Sequence, residues 1–173
     1  MSEFNIYVPE NLSFADYIAI VQTARILADG YDKKDRARVL AAVAPEVTVD
    51  YSLIVPAWGR KTYKGEAFAS AWTAMEMLGN PVLATQHLLG QPYFTSVSEA
   101  TITVQWQQLA SHARWESDAR GVGGTVRESS NGRSFMEQEF RKVDGKWKIA
   151  AITPSVLYTT GDFTRVRRPD GED

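Results

Sequence analysis

Apolar residues change their spacing partway along this chain, and that change does most to limit the fold. Up to about residue 80 they recur at helical intervals, with one short alternating interruption. Beyond it they alternate like strands. Ser13 suits an N-cap, and Phe14, Tyr17, Ile18, Val21, Ile26 and Leu27 follow at helical spacing, so a helix is predicted to end near Gly30. A second helix is predicted over 33–43, stopping before Pro45. Val47, Val49, Tyr51 and Leu53 alternate on one face of a strand over 46–53. Pro56 and Gly59 make 54–64 a loop, and Phe68, Trp72, Met75 and Leu78 place a helix over 65–78.

The second half reads as strands over 82–94, 100–116, 132–142 and 146–157, the last two joined by the Asp144-Gly145 turn. Gly121, Gly123 and Gly124 mark 117–130 as a hairpin connection. Residues 1–12 read as an arm, and 158–173 as a charged tail that frays or acts as a lid. Helices set apart from antiparallel strands mean an α+β fold. A strongly curved sheet wrapped around the helices would make a cone with an open mouth, and such mouths commonly hold small molecules.

The chain has 173 residues, which fits a single domain over 1–173. It has no cysteine, which excludes thiol nucleophiles and thiolate metal sites and fits a reducing, cytoplasmic location. Nineteen basic and 21 acidic residues give a net charge of −2, so nothing favours nucleic acid or an anionic membrane as partner. The first thirty residues lack a charged start followed by an apolar run, and no apolar stretch approaches bilayer length.

Only two histidines are present, His87 in Thr85-Gln86-His87-Leu88 and His112 in Ser111-His112-Ala113-Arg114. Either alone is ordinarily a hydrogen-bonded strand residue without chemistry. Tyr31-Asp32 falls where the first helix ends, and Tyr51 follows Asp50 on the first strand. Spacing does not assemble these residues, because they come from four separate segments. Two histidines with scattered carboxylates lack compact ligand spacing, so no metal and no cofactor is expected.

Several segments together resemble the scytalone dehydratase family of the nuclear-transport-factor-2-like (SnoaL-like) superfamily. They are Ala28-Asp29-Gly30-Tyr31-Asp32-Lys33-Lys34-Asp35, Ala44-Pro45 leading to Val49-Asp50-Tyr51, and Leu78-Gly79-Asn80-Pro81 with Thr85-Gln86-His87. Val143-Asp144-Gly145-Lys146-Trp147-Lys148 and Gly161-Asp162-Phe163 complete the likeness, which spans roughly residues 14–167.

The resemblance implies a cone-shaped α+β barrel and a cofactor-independent dehydratase. It implies that Tyr31 and Tyr51 hold a water against the substrate carbonyl, that Asp32 and His112 form a hydrogen-bonded pair, and that His87 is the second pocket histidine. Ser134 would help orient a histidine, and Phe163 would close over the ligand. Two positions depart from the family: its pocket asparagine becomes Met136, and its second lid phenylalanine falls near Arg167. Both changes point to a substrate other than scytalone.

These residue types suit loss of water from a cyclic, polyketide-derived hydroxy-ketone. Tyrosine hydroxyls can stabilise a developing enolate, and an imidazole beside a carboxylate can take and return a proton. His112, oriented by Asp32, is the expected shuttle. A cyclase or isomerase using the same pocket is one alternative, and a non-catalytic binding domain is another. Gln105, Gln107 and Trp115 have strand parity opposite to His112, so the outer face suggests a homo-oligomer. The resemblance favours a trimer over a dimer.

Overall fold

The computed structural model describes residues 5–116 and 124–167. Helix α1 (Phe14–Asp32) begins at Ser13, whose hydroxyl oxygen accepts from the Asp16 N–H. Its buried side, Ile20, Ala24, Leu27 and Ala28, faces the core. Helix α2 (Arg36–Ala42) is capped by Asp35, which accepts from the Arg38 N–H at 3.1 Å. Strand β1 (Val43–Asp50) and strand β2 (Arg60–Lys64) precede helix α3 (Gly65–Trp72). Strands β3 (Leu83–Val97), β4 (Thr101–Trp115), β5 (Val126–Val143) and β6 (Lys146–Gly161) follow, then the short helix α4 (Phe163–Arg167).

The six strands form one sheet in the order β2-β1-β6-β5-β4-β3. All neighbours are antiparallel except β1 and β6, which run parallel. The α+β class therefore holds, but the cone-shaped barrel does not. The sheet is open: β2 and β3 are its two edges and do not pair with each other. Closure needs matched strand tilt and stagger and a continuous ladder around the ring. Here one edge strand has only five residues, most of them exposed, and α1 packs against β3 and β6 instead. A helix thus covers the inner face that closure would otherwise enclose.

Other expectations shift at their ends. The presumed loop over 54–64 contains β2. The helix foreseen over 65–78 stops at Trp72, where the Thr73 N–H and hydroxyl both turn back to the Ala69 carbonyl. Beyond it the chain folds tightly: a Cβ on Gly79 would lie 2.0 Å from the Thr73 carbonyl oxygen, so only glycine fits. Met75 is consequently exposed, as is Leu53. Strand β5 starts at Val126, inside the presumed hairpin connection, whose residues 117–123 lie outside the described residues. Strand β6 and α4 occupy much of the presumed tail, of which 168–173 also lie outside them. The Asp144-Gly145 turn is present, with φ of 49° and 74°. No described helix is long and apolar enough to cross a membrane.

Candidate active site

The inner sheet face and α1 enclose a cavity of about 200 Å³. Strand register sorts its sheet wall into rows. The row at one end is Thr85, His112 and Ser130; the middle row is His87, Ala110 and Gly132; the next is Leu89, Gln108 and Ser134. Because neighbours in a row lie directly across from each other, their side chains share one face. Tyr31 from α1, Tyr51 after β1, Trp58, Trp72 and Phe163 complete the enclosure.

Every residue expected in the site except Asp32 lines this cavity, and Asp32 touches it through His87. Tyr31 and Asp32 occupy the last turn of α1, which ends as the Lys33 N–H bonds back to the Asp29 carbonyl. One Asp32 oxygen accepts from the His87 backbone N–H at 2.9 Å, and the other meets His87 Nδ1 at 2.7 Å. An ionised carboxylate only accepts, so Nδ1 carries the proton and Nε2 is left toward the cavity.

This corrects the expected pairing: Asp32 holds His87, not His112. The reason is register. His87 is buried beside the end of α1, whereas His112 lies one strand further in, across from Ser130. The His112 ring bonds to the Ser130 backbone. Ser134 sits two rows deeper than His112, so Ser130 occupies the position across from it.

The rings form a continuous series. Tyr31 and His87 have centroids 5.6 Å apart, His87 and His112 5.2 Å, and His112 and Phe163 4.6 Å. Burial, followed by the nearby His87, pushes the His112 pKa down to about 4, against the opposing Ser130 bond. His112 is therefore neutral near pH 7. Burial raises Tyr51 to about 12 despite a bond from Trp72, and raises Tyr31 well above its ordinary value. Both phenols stay protonated and available as donors.

Arg167 lies 6.0 Å from the centroids of both Trp58 and Phe163 and donates to the Glu76 carbonyl at 3.1 Å. It ties α4 to the turns after α3. Among the described residues no group of three or more histidines, aspartates or glutamates could hold a metal ion.

Sequence reading missed Ser130, Gln108, Trp58 and Trp72. Gln108 shares the parity of His112 and was open to discovery by that route. Ser130 was assigned to a loop, and Trp58 lies in a segment without periodicity.

A half-enclosed, largely apolar cavity with convergent imidazole, carboxylate and phenol groups belongs to the acid–base class of small-molecule sites. The comparisons agree at the level of family. The family model described as scytalone dehydratase matches residues 11–173. Dehydratase cfoI of Aspergillus candidus is 50% identical over 170 residues, covering 98% of this chain and 99% of that one. Scytalone dehydratase arp1 of Aspergillus fumigatus is 33% identical over 158 residues, covering 91% of each chain.

Solved structures share the fold at lower identity. The Kfla4162 protein from Kribbella flavida superposes with a TM-score of 0.69 at 15% identity, covering 90% of this chain and 98% of that one. The hexachlorocyclohexane dehydrochlorinase LinA-type3 from Novosphingobium barchaimii gives 0.62 at 18% identity, covering 86% and 91%. The chain belongs to the scytalone dehydratase family.

Proposed function

We propose that this protein removes water from a cyclic, polyketide-derived hydroxy-ketone, without a metal or organic cofactor. The observation that carries the reading is the Asp32–His87 hydrogen bond at 2.7 Å behind the cavity wall, with a second imidazole next to His87.

His87 Nε2 takes the proton from the carbon beside the ketone. The resulting imidazolium is stabilised by Asp32. Electron density moves onto the carbonyl oxygen, where Tyr31 and Tyr51 donate, directly or through a water. As the enolate collapses, the carbon–oxygen bond to the leaving hydroxyl breaks. The proton held by His87 joins that hydroxyl as water, and the imidazole returns to its neutral form.

His112, neutral and held by Ser130, orients the leaving hydroxyl. Ser134 and Met136 shape the substrate's place, and Phe163 covers it. The transfer of the shuttle role from His112 to His87 follows the carboxylate. Exposed Leu88, Tyr93, Leu157 and Tyr158 support self-association, which sedimentation would test.

The test is product analysis with polyketide-type hydroxy-ketones. Loss of one water by mass supports the proposal. A product of unchanged mass replaces it with a cyclase or isomerase. Binding without conversion of any such ketone leaves only a ligand-binding domain.

A further inference from the structure

A second cavity, of about 190 Å³, lies beside the first and is bounded by β1, β2 and α3. Tyr51, Trp58, Trp72 and Met77 line both hollows and form the partition between them. Gly59, Lys61, Tyr63 and Ala71 face only the second. The proton transfer described above uses none of them.

The walls of this cavity are aromatic. Tyr63 and Trp72 meet edge to face, with centroids 5.7 Å apart at 85°. Tyr51 lies 5.6 Å from Trp58 and 5.9 Å from Trp72. A box of ring faces ordinarily attracts a cation. Here the protein itself supplies the cations. The Arg167 guanidinium lies 6.0 Å from the Trp58 centroid and donates to Met77 Sδ at 3.2 Å. Lys61 stands across from Val49 and so shares that residue's inward face. Val49 is buried and Lys61 exposed, so the lysine stem runs along the wall and its ammonium reaches the rim. Among the described residues no carboxylate pairs with Lys61. Asp50, next along β1, shares the opposite face with Arg60 and accepts from the Ser52 N–H at 3.0 Å.

We infer that the second cavity is a binding site for a small aromatic carboxylate. The ring lies among Tyr51, Tyr63 and Trp72, held by apolar burial and by edge or offset ring contacts. The carboxylate faces Lys61 at the rim, where a charge-assisted hydrogen bond gives that ammonium its counter-charge. A phenol ionises only near about pH 10 and brings no such charge at neutrality. An aromatic cation is repelled by the same lysine. The site shares only its partition with the reaction cavity and needs neither imidazole.

The probes are benzoate, benzyl alcohol and benzylammonium, which keep the ring and change the charge. Binding can be followed by the backbone amide signals in NMR and confirmed by calorimetry. Benzoate should shift Gly59, Lys61 and Tyr63 and leave Ala110 and Gly132, on the wall of the first cavity, in place. A dissociation constant of about 1 mM or tighter is expected for so small a ligand. Benzoate should bind at least about fivefold more tightly than either other probe. Lys61→Met keeps the stem and should bring benzoate to within about twofold of benzyl alcohol. Ala71→Phe, which fills the cavity from α3, should abolish binding of benzoate with circular dichroism unchanged.

Shifts centred on Ala110 and Gly132 would place the probe in the first cavity and overturn the inference, as would no saturable binding at all. Equal affinity for the three probes, or a preference untouched in Lys61→Met, overturns the ligand class. Lys61 is exposed, so Lys61→Met keeps the inference falsifiable even where Ala71→Phe does not fold. The readout needs no turnover. Failure of the proposed dehydration would leave this site standing, and failure of benzoate to bind would leave the dehydration standing.

Discussion

The two imidazoles of the cavity are neighbours, 5.2 Å apart, yet they are held by different partners. His87 is gripped by Asp32 through both its ring and its backbone. His112 is held by a backbone group and desolvated, which disfavours its charged form. The difference teaches that proximity to a reacting centre does not assign a role. A proton carrier gains from a bonded anion, and Asp32 bonds His87 directly but acts on His112 only across space. An orienting group is better kept neutral, and burial does this for His112.

The largest expected effect tests that contrast directly. His87→Ala should lower kcat for water loss by roughly 100- to 10,000-fold, and His112→Ala by less. Steady-state kinetics of both variants decide it. The reverse order would return the shuttle to His112 and break the comparison. Asp32→Asn should come next, lowering kcat by roughly ten- to a hundredfold. The amide cannot satisfy both His87 donors at once, because one of its own ends is a donor. Urea unfolding should therefore also show a loss of about 1–3 kcal/mol.

Acid should act through His112. Its folded pKa of about 4 lies below the ordinary 6.5, so the unfolded chain binds this proton first as pH falls. Its contribution to stability is present above about pH 6.5 and is lost progressively down to about pH 4, at up to roughly 1.4 kcal/mol per pH unit. Urea midpoints measured across that range should fall more gently in His112→Gln. Equal slopes in the two proteins would show that His112 is not desolvated as described. The smallest effect is expected from Tyr51→Phe, which removes one donor while Tyr31 remains. It should lower kcat by about tenfold and stability by about 1 kcal/mol, since Trp72 loses its acceptor.

The helices and long strands were legible because their periodicities are strong and local. Ser13 as a cap and Asp144-Gly145 as a turn were legible for the same reason: each acts within three or four residues. Strand β2 was not, since its five residues are mostly exposed and carry no apolar alternation. Tyr31, Tyr51, His87 and His112 were nameable as candidates, and the cavity contains all four. Which histidine Asp32 would hold was not legible. The resemblance pointed to His112, and the packing of α1 against β3 selected His87.

By itself the sequence determined the α+β class, the order of most elements, the candidate side chains and membership in a dehydratase family. These follow from local spacing and from motifs that keep their order along the chain. Only the tertiary structure decided that the sheet stays open, that Asp32 bonds to His87, and that Gln108 stands between Leu89 and Ser134 in the row beside Gly132. Each of those depends on register between segments tens of residues apart. A shift of one residue would turn every side chain of a strand to the opposite face.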